Sequence, residues 1–173
     1  MSPATPRSRA AATEAFIGVD VQLRRDLAVA ILDRGAHAVE TLWIPPEEAP
    51  AALAALVSRH ARGRPGRVAV GIDAPRQPLP VARRHFWDGR TARWRPARTG
   101  DRGSGRHCEV VVSAFGLARP QWTPVRSRAP AWMRLGFALF DALAPYPHVH
   151  EVFPSAAYRQ LNAAGGARLS CDL

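Results

Sequence analysis

Three carboxylate side chains lie within or directly after short apolar segments, where a charged group is costly to bury. Asp20 and Asp73 end two runs rich in valine and isoleucine, and Glu151 lies inside a third run. A buried carboxylate is tolerated when it is paired or coordinates a metal ion. Convergent carboxylates suit Mg²⁺ or Mn²⁺, and two such ions about 4 Å apart can activate water for phosphodiester cleavage. The three acids are therefore predicted metal ligands and catalytic residues. The alternative for Asp20 and Asp73 is that they begin ordinary turns.

The second candidate feature is a basic segment that runs from Arg76 to Arg106. It contains nine arginines and two aspartates, an excess of seven positive charges, with Phe86, Trp87 and Trp94 interleaved. Arginine binds phosphate through paired hydrogen bonds, and exposed aromatic rings stack on bases, so we expect a nucleic-acid partner. The arginines expected to contact its backbone are Arg83, Arg84, Arg93, Arg95 and Arg106. The alternative is a solvated loop whose tryptophans pack on the core.

Arg106 and Glu109 are three residues apart at the start of a predicted short helix. A glutamate in the first helical turn can accept hydrogen bonds from the free amide groups there, so capping is the favoured role for Glu109. Two roles remain open for Arg106: contact with a phosphate, or a hydrogen-bonded pair with one of the three acids.

These side chains must be positioned by strands and helices that the apolar spacing predicts. Strands are expected over residues 15–20, 26–33, 36–44, 67–73 and 148–153. Helices are expected over residues 45–62, 107–117, 132–143 and 154–161, and residues 77–105 are expected to form a long loop. This order is typical of the α/β ribonuclease H-like (RNase H-like) architecture, a mixed sheet with helices on both faces. Its sheet combines a three-strand antiparallel meander with two parallel strands. The first, fourth and fifth strands are neighbours there, which would bring the three acids together.

Four segments resemble, in order, the motifs of a known family. They are Phe16-Ile-Gly-Val-Asp20, Gly71-Ile-Asp-Ala-Pro75, Arg106-His-Cys-Glu109 and Glu151-Val-Phe-Pro-Ser155. Together they are similar to the domain of unknown function 429 family, which is described as predicted RNase H-like nucleases. The resemblance implies an RNase H-like fold and candidate metal ligands at the aspartates of the first two segments and at the glutamate of the last. Family members usually continue into a C-terminal helix that carries another acid, and this chain is expected to lack that helix.

Composition excludes several classes of protein. The chain has 173 residues, a net charge of +10 and 47% hydrophobic residues, which favours one folded domain over residues 15–173 and excludes wholesale disorder. All 24 cationic side chains are arginine, so a P-loop lysine and a Schiff-base lysine are excluded. No apolar run reaches the roughly 20 residues of a membrane helix. Residues 1–14 are expected to form a disordered tail, and the two cysteines, Cys108 and Cys171, fit a reducing, cytoplasmic location.

Three functions follow from these features. The leading hypothesis is a Mg²⁺- or Mn²⁺-dependent nuclease or phosphodiesterase acting on RNA, DNA or a hybrid, in which loop arginines grip the substrate backbone. The alternative is a non-catalytic or degenerate RNase H-like module that only binds nucleic acid, with affinity that falls as salt rises. A nucleotide-binding domain of the actin and sugar-kinase type shares the core topology. It is disfavoured because no Gly-Thr-rich phosphate loop follows either early strand.

Overall fold

The computed structural model describes residues 13–101 and 103–165, with side chains described up to Asn162. The chain forms two compact units. The first, called the sheet unit, comprises the described residues up to Ile72 together with Leu139–His150. The second, called the hairpin unit, comprises Asp73–Ala138 and the described residues from Glu151 onward. The predicted tail lies outside the described residues except for its last two positions, and Cys171 also lies outside them.

The described chain contains seven strands and four α-helices. The strands are β1 (Ala15–Asp20), β2 (Leu27–Leu32), β3 (Ala38–Ile44), β4 (Val68–Asp73), β5 (His85–Asp88), β6 (Arg93–Pro96) and β7 (Val149–Glu151). The α-helices are α1 (Ala49–Ala61), α2 (His107–Ala114), α3 (Ala131–Ala142) and α4 (Pro154–Gly165). Among the helices of the described segments, none combines the length and the apolar character that a membrane crossing requires.

Five strands form one mixed sheet in the order β3-β2-β1-β4-β7. The first three strands are an antiparallel meander, in which Val29 lies opposite Val19 on one side and Leu42 on the other. Parallel strands complete the sheet, which gives the α/β, RNase H-like topology that the sequence predicts. The predicted adjacency of the strands that carry the three acids is also confirmed, since β1, β4 and β7 are consecutive in the sheet.

The sheet forms because its strands alternate buried apolar and more exposed side chains. Ile17 and Val19 of β1 are buried, whereas the residues between and beside them are exposed. Successive side chains of a strand point to opposite faces, so one face of the meander collects the apolar groups. Leu53 and Val57 of α1 are almost fully buried in the same unit, and α1 contacts β1. Each such side chain stabilises the fold by about 1.5–3 kcal/mol relative to an exposed one.

The basic segment contains a β-hairpin, so the prediction of a long loop is wrong for its central part. Strands β5 and β6 pair antiparallel, with Trp87 opposite Trp94 and Phe86 opposite Arg95. Aromatic residues favour strands and aromatic cross-strand pairs stabilise them, which explains the hairpin in a segment with little apolar periodicity. Asp88 accepts a hydrogen bond from the backbone N–H of Arg90 at 3.0 Å, which begins the connecting turn.

The hairpin unit has a small apolar core of its own. Met133 and Phe137 of α3 are buried together with Ala129, and Trp132 packs against them. The neighbouring Gly136 lies directly over the start of the segment after β4, because a Cβ atom at this position would be 2.6 Å from the Cβ of Ala74. Only a residue without a side chain fits there.

Gly136→Ala is expected to lower the free energy of unfolding by about 1–3 kcal/mol, because the added methyl group overpacks the contact with Ala74. Gly18→Ala is the matched control, since Gly18 is exposed in β1 and no atom lies within 4 Å of its Cβ position. That change should leave stability unchanged or raise it by up to about 1 kcal/mol. Urea unfolding followed by circular dichroism measures both, and equal stability of the two variants would contradict the packing assigned to Gly136.

Candidate functional site

Glu109, in the first turn of α2, holds a buried carboxylate with four hydrogen-bond donors. The residue is 6% exposed and its partner Thr123 is fully buried. Its Oε2 atom accepts hydrogen bonds from the backbone N–H groups of Arg106 at 3.0 Å and Thr123 at 2.9 Å. Its Oε1 atom accepts from Arg106 Nε at 2.9 Å and from the Thr123 hydroxyl. The capping role predicted for Glu109 is confirmed.

Arg106 links this carboxylate to Glu151 at the end of β7. Its Nη1 atom donates to Glu151 Oε2 at 2.6 Å, and its Nη2 atom donates to Glu151 Oε1. The backbone N–H of Arg76 also donates to Glu151 Oε2, at 2.9 Å. Of the two roles left open for Arg106, pairing with one of the three acids is the one that is found. A bidentate pair of this kind fixes both the distance and the orientation of its members.

The resulting arginine–carboxylate cluster consists of Arg106, Glu109, Glu151 and Thr123. The side chains of Arg106 and Glu109 are only 12% and 7% exposed, and that of Glu151 is 27% exposed. Burial alone would lower the pKa of Arg106, but hydrogen bonds and charge attraction from Glu151 and Glu109 outweigh it and raise that pKa. The guanidinium therefore stays charged and compensates the two carboxylates.

The predicted metal ligands lie in different parts of the chain. Asp20 is exposed at the end of β1 in the sheet unit, whereas Asp73 and Glu151 are half-buried and belong to the hairpin unit. Within the described residues, no three His, Cys, Asp or Glu side chains are grouped to hold a metal ion. Both oxygens of Glu151 accept hydrogen bonds from Arg106, so this carboxylate in its present arrangement does not fit a metal site. The assignment of Mg²⁺ or Mn²⁺ stays a prediction.

Two of the predicted phosphate-binding arginines make internal contacts within the hairpin unit. Arg95 forms a bidentate pair with Asp101 at 2.6 and 3.0 Å. This pair and the Arg98 backbone N–H lower the pKa of Asp101 from 3.8 to about 2. Arg83 donates to the carbonyl oxygens of His85 and Gly105 at 3.1 and 3.0 Å, and its guanidinium carbon lies 4.9 Å from the ring centre of Trp94. These contacts tie the hairpin to the segment that precedes α2.

Two other predicted arginines, Arg84 and Arg93, are exposed. Neither forms an ion pair through its side chain with any residue in the described ranges. Nearby, Trp94 is 42% exposed and its ring stacks on His107 at a centroid distance of 5.8 Å. It also meets Trp87 edge to face at 5.6 Å. The hairpin and the residue before it therefore carry two exposed cations, Arg84 and Arg93, and a partly exposed indole ring that His107 and Trp87 hold in place.

Sequence reasoning did not identify Thr123 or Asp101 as site residues. Thr123 lies 14 residues from Glu109, and no spacing rule connects an isolated Thr-Pro pair to a glutamate in a helix. An ion pair of Asp101 could have been predicted, because Asp101 is one of only two acids among the nine arginines between Arg76 and Arg106.

Comparison with known proteins adds no assignment: no protein-family model matches the chain, and neither a curated protein nor a solved structure matches it. The topology alone places it among proteins of RNase H-like α/β fold. The resemblance to the domain of unknown function 429 family stays a prediction.

Arg106→Ala is expected to lower the free energy of unfolding by about 3–5 kcal/mol, because it leaves the buried Glu109 carboxylate without its charge partner. The matched control is Arg59→Ala, which removes an exposed pair with Glu40 and should cost less than about 1 kcal/mol. Urea unfolding at pH 7 compares the two. Equal losses would show that the cluster does not hold the hairpin unit together.

Proposed function

We propose that this protein of RNase H-like fold binds nucleic acid through its hairpin unit. Arg84 and Arg93 contact backbone phosphates, and Trp94 contacts a base. The observation that carries the proposal is the placement of these two arginines, exposed and without ion pairs among the described residues. Arg84 directly precedes β5 and Arg93 begins β6, the strand that contains the partly exposed Trp94.

The charge of the hairpin supports an anionic partner. Nine of the chain's arginines fall between Arg76 and Arg106 with only two aspartates, so the local excess of positive charge is seven. Such a patch attracts a polyanion. Binding releases the counterions that had condensed on the polyanion, which makes the affinity salt-dependent. A single-stranded partner is favoured because its bases are free to stack on an exposed indole.

The remaining predicted arginines take a positioning role in this proposal. Arg83, Arg95 and Arg106 each make hydrogen bonds inside the hairpin unit, which use several of the side-chain donors that could otherwise bind a phosphate. Arg83 and Arg95 hold the backbone of the hairpin, so that only the side chains of Arg84 and Arg93 have to be ordered by the ligand. The proposal places this activity in the cytoplasm.

The double variant Arg84→Gln/Arg93→Gln is expected to weaken binding of a labelled 12-nucleotide single strand, measured by fluorescence anisotropy. Loss of two phosphate contacts should reduce the slope of log K against log salt by about 1.4. The matched control is Arg24→Gln/Arg34→Gln, which removes two exposed arginines of the sheet unit and the same net charge. Equal slopes for the two double variants would contradict the proposed interface, because the effect would then come from net charge alone.

Metal-dependent hydrolysis is the second candidate function. The observation that favours it is the strand order, since the neighbouring strands β1, β4 and β7 end in Asp20, Asp73 and Glu151. The resemblance to a family of predicted nucleases points in the same direction. The pair between Arg106 and Glu151 argues for binding alone, because both oxygens of this glutamate are already hydrogen-bonded.

Incubation of RNA, DNA and hybrid substrates with Mg²⁺ or Mn²⁺ separates the two functions. If hydrolysis is the function, the wild type cleaves at least one substrate and Asp20→Asn and Asp73→Asn each abolish cleavage while binding persists. Binding without cleavage by the wild type supports the binding module. Cleavage that survives both substitutions would exclude these aspartates from the reaction.

A further inference from the structure

The hairpin unit contains an open cavity of about 1270 Å³ that the proposed interface does not use. The residues that line it include Phe86, Trp87, Gln121, Trp122 and Arg128. Pockets for small organic ligands usually measure roughly 300–1000 Å³ and combine aromatic walls with a few polar groups. This cavity is larger and more open than such a pocket, but its lining also combines aromatic and polar groups, and it has room for one nucleotide.

Trp122 lines the cavity, and contacts within the protein hold its ring in place without a ligand. It is 46% exposed, yet its ring lies against the backbone of Gly105, where a Cβ atom would be 2.5 Å from Trp122 Cε3. Gly105 has a positive φ of 101° and donates its N–H to the carbonyl oxygen of Thr123 at 2.8 Å. Thr123 is in turn fixed by Glu109. The exposed face of Trp122 is therefore presented on a rigid base.

Trp87 provides a second aromatic surface. Its ring is fixed edge to face against Trp94 at 5.6 Å, and the two residues are directly opposite in the hairpin. Trp87 is half-buried and lines the cavity, and aromatic side chains that are held rigidly lose little conformational entropy when a ring stacks on them. Two indole rings in the cavity, those of Trp87 and Trp122, are therefore positioned to stack on a flat, apolar ring.

Arg128 gives the cavity a cation that is available to a ligand. It is exposed and makes no ion pair with the residues that the structure describes, whereas the other two arginines of the cavity, Arg83 and Arg95, are hydrogen-bonded internally. Gln121 adds an exposed amide, which can donate and accept hydrogen bonds at the edge of a base. A flat ring, a hydrogen-bonding edge and a negative charge are together the chemistry of a nucleotide.

We infer that this cavity binds one unstacked nucleotide of a single-stranded nucleic acid, with its base on Trp122 or Trp87 and its phosphate at Arg128. The inference rests on the proposed function, because the hairpin would hold the neighbouring phosphates of the same strand. It assigns one base and its own phosphate to the cavity, and the neighbouring backbone phosphates to Arg84 and Arg93.

The test uses the full chain and two probes of equal charge: a labelled 12-nucleotide oligoadenylate, as RNA and as DNA, and an abasic sugar-phosphate oligomer of the same length. Trp122→Ala is expected to weaken oligoadenylate binding at least about fivefold and to leave abasic-oligomer binding unchanged. Trp122→Phe should retain most of the affinity. Trp43→Ala is the matched control, since Trp43 is 60% exposed in the sheet unit.

Arg128→Gln tests the cation separately, with Arg34→Gln as its control of equal charge. Weaker binding of both probes to Arg128→Gln but not to Arg34→Gln supports the assignment. Circular dichroism shows whether each variant is folded. If Trp122→Ala and Arg128→Gln bind both probes like the wild type while Arg84→Gln/Arg93→Gln does not, the cavity assignment fails and the proposed interface stands. If no variant affects either probe, the proposed interface fails as well.

Discussion

The hairpin unit depends on one charged group, the guanidinium of Arg106. It joins the carboxylate that begins α2 to the carboxylate that ends β7, and through Glu109 it reaches the buried Thr123. The buried Glu109, the half-buried Glu151 and Arg106 are stable together, because removal of the cation would leave uncompensated negative charge in a poorly hydrated place. The arrangement therefore joins three separate segments of the chain: the start of α2, the segment around Thr123 and the end of β7. The walls of the cavity and the base of the hairpin are built on those segments.

The same chemistry divides the arginines into two groups. Some, such as Arg83, Arg95 and Arg106, donate hydrogen bonds to carboxylate or carbonyl oxygens within the hairpin unit. Others, such as Arg84, Arg93 and Arg128, are exposed and form no ion pair in the described residues, and the proposed function assigns these to the ligand. In the proposed function, the paired arginines would hold the backbone in place, so that binding a polyanion would have to order only the exposed side chains. The basic composition alone does not reveal this division, since both groups contribute equally to the net charge.

Much of the fold follows from local sequence patterns. A compact apolar run that ends in an aspartate predicted β1 with its observed ends, and the strand and helix order predicted the RNase H-like sheet. Helix α1 begins at Ala49 instead of residue 45, because Glu48 donates its N–H to the Pro45 carbonyl oxygen in a preceding turn. The β5–β6 hairpin was missed because its four-residue strands mix polar or charged residues with aromatic ones and show no apolar period. The pair between Arg106 and Glu151 spans 45 residues, so only the tertiary structure selects it from the two roles that the sequence leaves open.

The most direct test of nucleic-acid binding by the hairpin unit is an NMR titration that follows the indole N–H signals of the five tryptophans. Addition of a single-stranded oligonucleotide should shift the signals of Trp94, Trp87 and Trp122, which lie in the hairpin unit beside the exposed arginines or in the cavity. The signals of Trp43, in the sheet unit, and of Trp132, which packs against the buried core, should remain in place. A saturating titration that leaves Trp94 unchanged, or that shifts Trp43 alone, would contradict the account.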